Sequence, residues 1–170
     1  MIDILILYEL TKKVYTMYGL SKEIRTNLSV VTMPSIGTLK PALVRLEASG
    51  FIKSQKTFSK GGRPSVYYSI TEEGRTVLNG LLKNPVKNNP AQFLTDARIR
   101  LYCADALSPS EFEKLLSVLK TKTESLYNKS LKLSEENEAN FYPKMVFNNL
   151  SCEYKNFLSL LEGIERACKR

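Results

Sequence analysis

Between Lys40 and Arg63 the charged residues are Lys40, Arg45, Glu47, Lys53, Lys56, Lys60 and Arg63, six cations against one acid. Beside them stand the hydroxyls of Ser35 and Thr38. Cations and hydroxyls in one stretch suit phosphates and base edges. Nothing comparable points to covalent or acid–base chemistry. Histidine is absent, which removes Ser-His-Asp and Cys-His nucleophile systems and every His-containing metal site. The three cysteines, Cys103, Cys152 and Cys168, are widely spaced and form no CxxC, so a zinc ribbon and a disulfide framework are both unexpected. That cysteine usage fits a reduced, cytoplasmic setting. Gly61–Gly62 reads as a turn, not a phosphate-binding loop. The acid pairs Glu72–Glu73 and Glu135–Glu136 are read at helix starts, where the helix dipole accounts for them. The expectation is therefore no enzyme, no cofactor and no metal.

The charge balance supports a polyanionic partner. The 170-residue chain carries a formal charge of +8. Residues 1–86 hold 12 Lys+Arg against 6 Asp+Glu, and residues 87–170 hold 13 against 11, so the excess sits in the first half. With 43% apolar and 25% charged residues the chain has the make-up of a globular protein with a real core. Its longest strongly apolar run, Ile4 to Tyr8, is too short to span a bilayer, and no basic region precedes it as in a secretory signal.

Several elements must position these residues. The apolar rhythm of Ile2, Leu5, Ile6, Tyr8 and Leu10 predicts a helix over 2–13. Gly19 reads as a break, with Ser21 as the cap of a second helix whose apolar face is Leu20, Ile24 and Leu28. A third helix buries Ile36, Leu39, Leu43 and Leu46 and ends at Ser49–Gly50. Pro41 would damage a helix interior, so Thr38 is read as its cap, fed by a tight turn through Pro34–Gly37. The opposite face then carries Ser35, Thr38, Ala42 and Arg45, with Lys40 beside it. Two β-prone runs, 51–58 and 65–70, flank Gly61–Gly62 as a hairpin, with Val66, Tyr68 and Ile70 on one face and Tyr67 and Ser69 on the other. Thr71–Glu72–Glu73 opens a fourth helix that runs to about Leu82. The segment 83–90, KNPVKNNP, reads as a linker.

Beyond the linker the pattern is helical. A helix is expected over 91–107, and Ser108–Pro109–Ser110–Glu111 is a capping box that opens the next. Phe147, Leu150, Tyr154, Phe157, Leu161 and Ile164 then recur at alternating spacings of 3 and 4, a heptad seam. Because few elements follow it, the seam is expected to pack across a homodimer.

Helix, helix, helix, hairpin, helix is the order of a winged helix-turn-helix. The stretch from Pro34 to Ile52, PSIGTLKPALVRLEASGFI, resembles the third-helix signature of PadR-family transcriptional regulators. Gly61 to Gly74, GGRPSVYYSITEEG, is similar to the wing and following helix of that family. The resemblance covers about residues 2–82. It departs from the family pattern in two places: Tyr18-Gly19-Leu20 stands where His-Gly-Tyr is frequent, and Lys40 where tyrosine is common. The helical second half is similar in layout to the dimerisation region of the longer PadR subfamily.

The reading is thus a mainly α chain with a small β-hairpin: a winged helix-turn-helix at 1–82, a linker at 83–90, and a helical dimerisation domain at 91–170. The expected DNA-binding residues are Ser35, Thr38, Lys40, Arg45, Lys60, Gly61, Gly62, Arg63 and Tyr67. The resemblance implies a homodimeric repressor of transcription on a pseudo-palindromic operator in double-stranded DNA. It also implies a response to a small aromatic effector. Tyr102, Phe112, Phe141, Tyr142, Phe147, Tyr154 and Phe157 are the aromatics available to line such a pocket, although the same spacing reads more simply as core. The alternative is a winged helix used as a protein-interaction module without DNA readout.

Overall fold

The structure, a computed structural model, describes residues 1–58, 64–84 and 89–168. In chain order the elements are α1 (Ile2–Lys12), β1 (Tyr15–Thr16), α2 (Met17–Leu28), α3 (Ile36–Ala48), β2 (Ile52–Phe58), β3 (Pro64–Ile70), α4 (Glu72–Lys83), α5 (Pro90–Tyr102), a short 3₁₀ turn (Ala104–Ala106), α6 (Pro109–Glu136) and α7 (Phe141–Cys168). The chain divides into two compact units, Met1–Leu107 and Ser108–Arg170. The helix expected to head the second part, α5, therefore belongs to the first. It is also shorter than expected, and the 3₁₀ turn takes up part of the difference.

The first unit is built around α1. Ile4 through Leu10 are all buried, so this helix is covered on every side and not on one stripe alone. Leu20, Ile24 and Leu28 of α2, Leu39, Leu43 and Leu46 of α3, Leu78 and Leu82 of α4, and Ile99 and Cys103 close the same core. The sheet order is β1-β3-β2, all antiparallel, with Tyr15 opposite Tyr68 and Ile52 opposite Ile70. The two-residue strand β1 was not expected from the sequence. It is too short to show an alternating pattern and exists because β3 offers it an edge.

Local sequence signals terminate these elements. Gly50, at φ 74°, closes α3 in a Schellman arrangement: Phe51 N–H donates to the Leu46 carbonyl at 3.0 Å and Gly50 N–H to that of Glu47 at 2.9 Å. Thr71 caps α4 by accepting from Gly74 N–H at 3.0 Å, while its hydroxyl lies 2.8 Å from the Gly50 carbonyl. This joins the start of α4 to the end of α3. Gly74 is required there, because a Cβ would lie 2.0 Å from the Phe51 carbonyl oxygen.

The second unit is an antiparallel pair, α6 against α7, as the Ser134–Asn148 hydrogen bond and the Lys120–Glu165 ion pair at its two ends show. The expected capping box opens α6: Glu111 Oε2 accepts from Ser108 N–H at 3.0 Å and from its hydroxyl at 2.8 Å. Glu135–Glu136 lie at the end of α6, not at a helix start. Among the described residues no helix is long and apolar enough to cross a membrane.

Candidate nucleic-acid interface

α3 begins one residue after Ser35, whose Oγ accepts from Thr38 N–H at 3.2 Å and pairs with the Thr38 hydroxyl at 3.1 Å. Ser35, not Thr38, is thus the cap, and Pro41 falls inside the helix. Proline there cannot donate to the Gly37 carbonyl one turn back. Both residues are exposed, so water can reach that carbonyl, and the helix continues through the lesion. Thr38, Lys40 and Arg45 are exposed as expected. Ala42 is not: at 2% exposure it belongs to the core, because α3 buries Leu39, Ala42, Leu43 and Leu46 as one stripe.

Arg45 is not a free cation. Its Nη2 lies 2.5 Å from Asp3 Oδ1 on α1. Glu47 accepts a 2.5 Å hydrogen bond from the Ser54 hydroxyl of β2. The C-terminal half of α3 is thereby tied to α1 on one side and to the hairpin on the other. Its N-terminal half remains open.

α2 starts earlier than the sequence suggests. Thr16 is its cap, accepting from Gly19 N–H at 3.1 Å, so Gly19 lies in the first turn instead of breaking the chain. Ser21, expected as the cap, is buried within the helix. The shift turns Tyr18, Lys22, Arg25 and Thr26 to one side, where with Ser21 and Ile36 they line an open groove beside the start of α3. Lys22 and Arg25 were not singled out from the sequence. A charged position on an amphipathic helix reads as solvated surface until the neighbouring helix is in place.

In the hairpin, Lys53 through Phe58 are all exposed and Tyr67 lies outward on β3, 39% exposed, between Thr16 and Gln55. Lys60, Gly61, Gly62 and Arg63 lie outside the described residues. Tyr68, on the opposite face, packs on the core.

Two buried polar clusters hold α5 to this body. Glu9 has no exposed surface. Its Oε1 accepts from the Tyr102 hydroxyl at 3.1 Å, and Lys12 Nζ lies 3.2 Å from Oε2, which has no hydrogen bond among the described residues. Burial opposes the Lys12 ammonium, but the Glu9 carboxylate outweighs it and the pKa is raised. Burial, and then Glu9, push the neighbouring Cys103 thiol far above the usual range. In the second cluster Arg100, 4% exposed, donates to Asp96 Oδ2 at 2.9 Å and to the carbonyls of Leu81, Leu82 and Asn84 at 2.9, 2.6 and 2.9 Å. It satisfies the orphan carbonyls at the end of α4 with a side chain from α5.

In the second unit, Tyr154, Phe157 and Leu161 of the heptad seam are buried within the single chain, and Phe147, Leu150 and Ile164 are half-buried. Three of the six residues expected at a dimer interface are thus covered within the single chain, and the register set by the Ser134–Asn148 and Lys120–Glu165 pairs brings them opposite the Thr123–Ser130 stretch of α6. The large apolar side chains that α7 leaves exposed are Phe141, Tyr142, Met145 and Val146 in its first two turns, and Leu160 further along. Of the aromatics considered for a pocket, Tyr154 and Phe157 are core, and Tyr102 belongs to the Glu9 cluster.

Residues 6–80 match the sequence profile described as the transcriptional regulator PadR-like family. A PadR-family transcription regulator from Clostridium difficile is 37% identical over 45% of this chain and 78% of that one, with a TM-score of 0.41. A transcriptional regulator from Clostridium thermocellum is 32% identical over 46% of this chain and 76% of that one, with a TM-score of 0.43. Bacillus subtilis PadR, solved with operator DNA and with p-coumaric acid, is 20% and 19% identical, with TM-scores of 0.48 and 0.43. These two structures cover 95% and 99% of this chain, and 94% and 95% of their own. No curated protein sequence matches. The profile match and the 37% identity over most of a PadR-family chain, together with the third-helix and hairpin motifs now seen as α3, β2 and β3, make this chain a member of the PadR-like family of DNA-binding transcriptional regulators.

Proposed function

We propose that the protein is a homodimeric repressor that places α3 of each protomer in successive major grooves of a pseudo-palindromic operator. The observation that carries this reading is the open N-terminal half of α3. Exposed Thr38 and Lys40 stand there beside a groove holding Tyr18, Lys22 and Arg25. Lys22, Lys40 and Arg25 take phosphates, Ser35 and Thr38 sit at the groove edge, and Tyr67 with Lys60, Gly61, Gly62 and Arg63 of the wing follows the backbone. Arg45, held by Asp3, contributes only if that pair opens.

The dimer is supported by the exposed apolar turns at the start of α7. The second half of α6 buries Thr123, Ser130 and Ser134 and leaves Leu126 and Leu133 only half-buried, so apolar surface remains there for a partner. Release by a small aromatic compound is the finest part of the reading and rests on family membership.

The test is fluorescence anisotropy on duplexes from the DNA upstream of the protein's own gene, against scrambled duplexes, across a salt series. A preference of roughly a thousandfold or more, with log affinity falling linearly in log salt, is expected for an operator-binding regulator. Absence of binding to any duplex at low salt would instead favour a protein-interaction module.

A further inference from the structure

The outward face of α3 is apolar. Gly37, Pro41, Val44 and Ala48 are spaced 4, 3 and 4, lie opposite the buried stripe of Leu39, Leu43 and Leu46, and are all exposed. Val44 is 59% exposed. Proline at this point costs the helix a hydrogen bond, and valine gains nothing from solvent. Polar groups flank this stripe but do not occupy it. Thr38 and Arg45 stand on one side, the first shared with Ser35 and the second held by Asp3, and Lys40 and Glu47 stand on the other, the acid accepting from Ser54. The line of the helix that would face the base edges therefore presents no side-chain hydrogen-bond group.

Such a surface discriminates among base pairs by what it cannot satisfy. Guanine O6, cytosine N4 and adenine N6 pressed against proline and valine would lose water and gain no partner. Thymine differs, because its C5-methyl is the apolar group displayed in the major groove. We propose that Pro41 and Val44 are specificity-determining residues that recognise thymine methyl groups in the operator half-site, with Lys40 and the α2 cations supplying non-selective phosphate contacts. The occupant of the stripe is thus a thymine-bearing major groove. The flanking positive charge of Lys40, Lys22 and Arg25 and continuity with the open N-terminal half of α3 both argue for it. This inference rests on the DNA-binding reading above and sharpens it.

Deoxyuridine differs from thymidine only by that methyl, so it isolates the contact. Duplexes enriched from a random-sequence pool by the full chain are re-synthesised with each thymine replaced in turn by deoxyuridine, and affinities are measured by anisotropy. One or two positions per half-site are expected to weaken about fourfold per methyl, the equilibrium value of burying one methyl-sized group. Val44→Ala or Pro41→Ala should abolish that sensitivity at its own position. Lys40→Ala should weaken every duplex alike and leave the sensitivity intact. If enriched duplexes bind equally with uracil and thymine, or if both Val44→Ala and Pro41→Ala keep the full sensitivity, the inference is overturned while DNA binding stands. If no duplex is enriched, the inference and the DNA-binding reading fall together.

Discussion

Asp3 on α1 holds Arg45 of α3 through a 2.5 Å ion pair across 42 residues of sequence. The carboxylate stands where a phosphate would otherwise compete for the guanidinium. Asp3→Asn should therefore raise affinity for duplex DNA several-fold at low salt. It should also steepen the log–log salt dependence by about one. Its effect on folding stability should stay below about 1 kcal/mol, since both groups are partly solvated. An unchanged salt slope in the variant would show that Arg45 makes no phosphate contact even when released.

Arg100 should be far more costly to lose. It is buried, paired with buried Asp96, and caps the end of α4 through three carbonyls. Arg100→Ala leaves a buried carboxylate and uncapped carbonyls, and a loss of about 3–5 kcal/mol is expected in chemical denaturation. Arg100→Lys should recover only part of it, because an ammonium cannot match the planar fork that spans Asp96 and the carbonyls.

Gly74→Ala tests the junction between α3 and α4. The added methyl would overlap the Phe51 carbonyl at 2.0 Å, against backbone that cannot swing aside. A destabilisation of at least about 2 kcal/mol, read as a fall in Tm on the order of 10 °C, is expected.

The three thiols should separate cleanly. Cys152 and Cys168 are exposed, whereas Cys103 is buried and its pKa is raised by burial and by Glu9. At neutral pH two thiols should react quickly with a disulfide reagent and the third only after denaturation. Because the thiolate of Cys103 is disfavoured, raising the pH toward 9 should leave Cys103 protected in the folded chain.

The start of α7 carries the dimer prediction. Phe141→Ser with Met145→Ser removes apolar surface that is exposed in the single chain, so the monomer's thermal stability should change little. Sedimentation velocity should show a shift from dimer toward monomer. An unaltered dimer would place the interface elsewhere.

The signals written within a few residues were readable from the sequence. The Gly50 cap, the Thr71 start of α4, the Ser108–Glu111 box and the hairpin depend on neighbours within a turn, so residue type and spacing decide them. The motif around α3 likewise placed Thr38 and Lys40 on the surface. The ambiguous starts of α2 and α3 were misread because two capping residues compete at each. Thr16 and Ser35 prevail because they let α2 and α3 extend by a turn, through Gly19 in one case and Pro41 in the other.

What the tertiary structure decided are the partners. Periodicity shows that a helix has an apolar face but not what covers it. The seam of Tyr154, Phe157 and Leu161 turned inward, and Ala42 went to the core instead of the surface. Asp3 with Arg45, Tyr102 with Glu9, and Arg100 with the end of α4 join positions far apart in the chain, and no local spacing encodes them. Sequence by itself determined the order of the helices, the β2–β3 hairpin, and the charge that favours a polyanion. Packing determined which cations remain free to meet it, because a charge is available only where no neighbouring element has already paired it.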